Sequence, residues 1–101
     1  MSELIEETVL RIKELQDQVD KVLFYEWDPL GVSTMDYMRD EYSRYVLEVV
    51  EIALECSSYE AIEEELVLVR KEWMGMEENT EQDNKVARTI YSLAQQYSGQ
   101  Q

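Results

Sequence analysis

The run Glu26-Trp27-Asp28-Pro29-Leu30-Gly31-Val32 marks the point where a long helical pattern stops and the chain must reverse. Asp28-Pro29-Leu30-Gly31 has the chemistry of a type I turn: Asp suits the first position, Pro pre-sets φ at the second, and Gly is favoured at the fourth. Pro29 also biases Asp28 away from helical dihedrals, so the preceding helix is predicted to end at or just before Trp27. Phe24, Trp27, Leu30 and Val32 surround the turn with apolar groups that a solvated loop would not need. Trp27 is therefore expected to pin this corner onto the core, with Asp28, Pro29 and Gly31 shaping it.

The rest of the chain divides around that corner. Ile5, Val9, Ile12, Leu15, Val19, Val22 and Leu23 recur at helical spacing, and Ser2 is placed to cap them, with Glu3, Glu6 and Glu7 at the positive end of the dipole. A first helix is predicted over 3–27, about 38 Å long at ~1.5 Å per residue. That length can overhang shorter neighbours and leave the N-terminal end to pack on another subunit. After the corner, Ser33 with Asp36 resembles a capping box inside a loop. A second helix is predicted over 40–56, with Tyr42, Tyr45, Val46, Val49, Val50 and Ala53 inward and Glu41, Arg44, Glu48, Glu51 and Glu55 outward. Ser57 with Glu60 is a second capping signal. It opens a third helix over 58–74 whose stripe is Tyr59, Ile62, Leu66, Val69 and Trp73, with Glu60, Glu63, Glu64 and Glu65 crowding its start. Gly75 should stop it in left-handed geometry, with Met76 as an apolar lock. Thr80 with Asp83 caps a fourth helix over 80–97, striped by Val86, Ile90, Leu93 and Tyr97, with Ala87 and Ala94 allowing close approach. Residues 98–101 should fray. Nothing reads as a strand, and the prediction is an all-α, single-domain four-helix bundle over 1–101 with a long N-terminal helix.

At 101 residues the chain can bury one modest core. It contains no histidine, which rules out His-based triads and His metal sites. No Gly-rich phosphate loop, zinc-type Cys pair or EF-hand spacing is present, and carboxylate metal sites in bundles normally use Glu-x-x-His. The expectation is a non-enzyme with no catalytic residues, no cofactor and no metal. Cys56 is the one cysteine; it is expected to be buried and reduced at the end of the second helix, as in a cytoplasmic chain. No run approaches the roughly 18 apolar residues of a membrane span, and the acidic N-terminus lacks the basic start of a secretory signal. A cytoplasmic location away from membranes is the resulting expectation.

Charge is the most informative bulk property. Nine basic residues against 23 acidic ones give −14. Residues 1–28, 29–56 and 57–78 carry −5, −4 and −5, while 79–101 are neutral. Phosphate backbones and anionic lipids should repel such a chain, so direct nucleic-acid or membrane binding is not expected, whereas a basic protein would be attracted. The candidate partner-binding residues are Asp36, Tyr37, Asp40 and Glu41 beyond the corner, Glu48, Glu51 and Glu55 on the second helix, and Glu60, Glu63 and Glu64 at the start of the third. The plainer alternative is that these acids keep the protein soluble and complement helix dipoles. Tyr25, Tyr37 and Tyr91 fall off the apolar stripes; such rings either anchor in a partner's pockets or form core edges with wet hydroxyls.

Trp27-Asp28-Pro29-Leu30-Gly31-Val32, followed by Asp40-Glu41-Tyr42, Tyr45, Met74-Gly75 and Val86-Ala87, resembles a family of small bacterial all-helical proteins. That family's pattern is Trp-Asp-Pro, Ile or Leu, Gly, Val, and then Asp-Glu-Tyr. The likeness spans 22–90 and carries over no catalytic residue. Many members have no assigned activity; some look like immunity proteins of polymorphic toxin systems, including contact-dependent inhibition. The resemblance and the charge together imply a cytoplasmic immunity-type inhibitor of a basic toxin domain, a nuclease for example. Two other readings stay open: a DNA mimic of the anti-restriction or phage counter-defence kind, and an acidic adaptor that forms a homodimer through helix one.

Overall fold

The structure, a computed structural model, describes residues 2–98, with side chains over 7–97. The cap expected at Ser2, the acids Glu3 and Glu6, and Ile5 fall outside the described side chains, and the tail beyond 98 falls outside the described residues. Four helices and no strand occur among the described residues. Helix α1 spans Ser2–Lys21 and continues as a wider π turn over Val22–Trp27. Helix α2 is Val46–Glu55, α3 is Glu60–Leu68 with a π extension over Val69–Trp73, and α4 is Thr80–Ser98. Helix α4 packs on all three others, and α2 also touches both α1 and α3. The all-α four-helix reading holds.

The corner forms as its chemistry dictates. The Gly31 N–H donates to Asp28 O at 3.1 Å, closing the turn over Pro29 and Leu30. Asp28 itself takes left-handed dihedrals (φ 34°, ψ 59°), a region that Asp tolerates better than most side chains. Its N–H reaches back to Leu23 O at 2.9 Å, the bond that widens the last turn of the first helix. The widened turn lets Val22, Leu23, Phe24 and Trp27 all bury. Asp28 also organises the segment beyond the turn. Its Oδ1 accepts from Val32 N–H (2.8 Å) and Tyr42 O–H (2.6 Å), and its Oδ2 accepts from Ser33 N–H (2.9 Å). The Tyr42 hydroxyl in turn accepts from Leu30 N–H at 3.0 Å.

Those bonds explain the first departure from expectation. The second helix starts at Val46, not at residue 40, because Tyr42 is fully buried at the corner and takes non-helical dihedrals (φ −101°, ψ 4°). Residues 33–45 instead step through short turns, including 3₁₀ turns at Asp36–Met38 and Ser43–Tyr45. Ser33 spends its N–H on Asp28, and Met35, not Ser33, precedes the 3₁₀ turn without a side-chain cap. Arg39 fastens this segment to the first helix: its guanidinium lies 4.8 Å from the Phe24 ring centroid and 3.1 Å from Asp20 Oδ2. That ion pair is not aligned as a hydrogen bond, and Asp20 Oδ1 and Arg39 Nη1 stay without one.

Other local expectations are corrected too. Tyr59, not Ser57, occupies the N-cap of α3 and makes no side-chain cap bond, while Ser58 Oγ donates to Glu60. Asn79 Oδ1, not Thr80, caps α4 by accepting from Gln82 N–H at 3.1 Å. Trp73 is 72% exposed and not part of the core stripe. The π turn inserts an extra residue into the helical count, so Arg70 swings inward and Trp73 outward. Gly75 does adopt φ +66°, and Met76 N–H bonds Arg70 O at 2.9 Å, but the Met76 side chain is exposed and locks nothing. Cys56 ends α2 as expected but is half-buried, its Sγ 3.5 Å from Ala53 O. In α1 the apolar stripe enters the core at Leu15, with Ile12 half-buried, while Val9 and Leu10 stay exposed.

Tyr42→Phe keeps the ring and deletes the hydroxyl, stranding Leu30 N–H and one Asp28 lone pair. A loss of about 1–3 kcal/mol is expected in urea unfolding, with faster amide exchange at Leu30.

Candidate functional site

Beneath the corner lies a buried polar cluster. Trp27 Nε1–H donates to Asp83 Oδ1 at 2.8 Å. Arg70 reaches the same carboxylate through Nη2 (2.7 Å to Oδ1) and Nε (3.1 Å to Oδ1, 3.2 Å to Oδ2). Arg70 Nη2 also donates to Gln82 Oε1 at 2.8 Å, and Gln82 Nε2 donates to Glu26 O at 3.1 Å. Asp83 and Arg70 are both almost fully buried. Every partner is met inside the protein, so this cluster presents no open chemistry. Its work is structural: it ties the end of the first helix, the α3 extension and the start of α4 together. Burial would raise the Asp28 carboxyl nearby, but donation from Tyr42 and from the Val32 and Ser33 residues outweighs it and holds the group below its usual 3.8. The stability this supplies is present above that value and is lost as pH falls through the depressed one. Burial and the Asp28 carboxylate push the Tyr42 phenol well up.

The candidate acids sit elsewhere, on the outside. Asp36, Asp40, Glu48, Glu51, Glu55, Glu60 and Glu64 are exposed, whereas Glu41 and Glu63 are half-buried. Tyr37 is 83% exposed on its 3₁₀ turn, with only a long contact from its hydroxyl to Met35 Sδ. Glu60, Glu63 and Glu64 line a shallow groove along α3 with Val67, Leu68, Lys71 and Glu72. Glu63 leans toward α4, where it accepts from Asn84 Nδ2 at 3.2 Å. The ion pairs among the described residues are Arg39–Asp20, Arg70–Asp83 and Lys71–Glu78. None of them uses a candidate acid. No hydrogen bond or ion pair among the described residues links Asp36, Tyr37 or Asp40 to the acids of α2 and α3.

One residue of the face escaped the sequence argument. Glu65 is only 9% exposed, on the inward side of α3 three residues after Ile62. Its carboxyl is pushed up to about 7, first by burial and then by a hydrogen bond with, and the charge of, Glu48 on α2. The signal was its place between Ile62 and Leu66 on the stripe, where a carboxylate has no ordinary reason to be. Arg70 and Asp83 carried the same signal, a charge of each sign at stripe positions of two helices.

No group of three or more metal-ligating side chains occurs among the described residues, and no helix there is long and apolar enough to cross a membrane. Comparison with protein-family models, with curated proteins and with solved structures finds no match to the chain.

Glu65 makes a signed prediction. The folded carboxyl keeps its proton up to about pH 7, the unfolded one only to about 4.5. Its contribution is therefore full below 4.5 and is lost as pH rises through 7. Glu65→Gln should be more stable than the parent by about 1–3 kcal/mol at pH 8 and gain little at pH 4, as read by denaturant unfolding at both values.

Proposed function

We propose that the chain is a non-enzymatic acidic binding protein of the bacterial cytoplasm, an immunity-type inhibitor that covers the basic surface of a toxin domain. The observation that carries this reading is the absence, among the described residues, of any ion pair on the ten candidate residues, while several of the chain's cations are used elsewhere. Arg70 is sealed in the core, Arg39 is turned back onto α1, Lys71 is held by Glu78, and Arg88 Nε donates to Asn84. Like charges along one helix face cost a few tenths of a kcal/mol per pair, a cost an external cation surface would reverse. A nuclease fits as the target class because it holds nucleic acid through Lys and Arg, and the same groups would meet this face.

A second reading draws on Val9 and Leu10, exposed on α1. They suit a homodimer through helix one, and sedimentation across a concentration range separates the two: a monomer throughout removes the dimer.

Co-expression with the basic product of an adjacent reading frame should restore growth. Association should slow as salt rises, and Glu48→Gln/Glu51→Gln/Glu55→Gln should cut the on-rate by about tenfold at low salt. No protection, or a rate indifferent to both salt and these substitutions, would remove the inhibitor reading.

A further inference from the structure

Helix α3 is apolar on two sides, and the bundle covers one of them. Ile62, Leu66 and Val69 are buried on the side that packs against α2 and α4. Val67 and Leu68 lie on the outer side, Val67 half-buried and Leu68 46% exposed. They form the apolar middle of the shallow groove along α3, a space of about 630 Å³. A helix that is apolar all round is normally covered all round. We propose that this groove takes an amphipathic helix of the basic partner, with its apolar stripe on Val67 and Leu68 and its Lys or Arg side chains on the surrounding carboxylates. Resting on the acidic-binding reading, the docking line gives that face a defined occupant.

The chemistry of the occupant follows from what surrounds the apolar middle. Glu60, Glu63 and Glu64 stand towards one end of the groove and Glu72 towards the other. Lys71, which also lines it, is held by Glu78 at 3.0 Å. Apolar surface ringed by carboxylates repels a second copy of a chain at −14 and draws a segment whose apolar stripe is flanked by cations. A helix suits it better than an extended strand. No strand occurs among the described residues, so no sheet edge there offers main-chain bonds, whereas a helix satisfies its own. From Glu60 to Glu72 is roughly 18 Å at ~1.5 Å per residue, about three turns of a docked helix, which suits anchors at i, i+4 and i+7. Trp73, next along the chain and 72% exposed, adds an aromatic of the kind that anchors interfaces.

The probe is a peptide of about 14 leucines and lysines, long enough for roughly four turns, with leucine at helical spacing. One control holds the same residues in strict alternation, which removes the helical stripe, and another replaces every lysine with glutamate. The patterned peptide should shift the Val67 and Leu68 methyl resonances in NMR titration and bind about tenfold more tightly than the alternating one. Leu68→Ser, a change at an exposed position, should weaken it by about tenfold at low and high salt alike, because it removes apolar contact. Glu60→Gln/Glu64→Gln should weaken it by about three- to tenfold at low salt only. Equal binding of the patterned and alternating peptides, with Leu68→Ser without effect, would overturn the groove and leave the acidic face standing. A glutamate peptide binding as tightly as the lysine one would remove both. A parent protein that sediments as a dimer, dispersed by Leu68→Ser, would place a second copy in the groove and overturn the proposal.

Discussion

The meeting of Trp27, Arg70 and Asp83 holds the architecture together. Trp27 and Asp83 are 56 residues apart in sequence, and Arg70 comes from a third element. Burying an ion pair carries a desolvation cost that its attraction repays only with good geometry and further hydrogen bonds. Both conditions are met: Asp83 Oδ1 receives the indole N–H and two donors from Arg70, and Arg70 also reaches Gln82. The guanidinium carbon sits 5.7 Å from the Trp27 ring centroid. Such an arrangement specifies which helix ends lie together more than it adds raw stability. The corner's second network, Asp28 with Tyr42, then attaches the segment leading into α2. Two adjoining polar networks thus set all four helices.

Much of this was legible. Asp28-Pro29-Leu30-Gly31 announced the reversal, Trp27 announced its anchor, and the spacing of Val86, Ile90, Leu93 and Tyr97 placed α4. The features that stayed hidden depend on contacts distant in sequence. Tyr42 looked like the first apolar residue of a helix, and only the approach of Asp28 takes it out of helical geometry. The π turn at Val69–Trp73 shifts the phase of everything after it, so a stripe counted at regular spacing put Trp73 inside. Asn79 and Thr80 are both of a type that caps helices, and the cap expected at Thr80 falls one residue earlier, on Asn79.

The acids divide by the same logic. Where a carboxylate is buried or half-buried with partners, as at Asp83 and Asp28, it builds the fold. Where it lies exposed along α2 and α3, it finds no cation among the described residues. Glu65 belongs to neither group, being buried like the first but set against another carboxyl, Glu48. The exposed face was visible as composition and periodicity; Glu65 became distinct only when α2 was laid against α3. The bundle supplies a rigid base for that face, since α3 is fixed to α4 and the first helix through Arg70.

Urea unfolding of Asp83→Leu, alone and combined with Arg70→Met, tests the central claim most directly. The single change leaves Arg70 buried and unpaired and should cost about 3–5 kcal/mol, whereas the double change should recover more than half of that. An Asp83→Leu protein as stable as the parent would show that the helices are held together by something other than this contact.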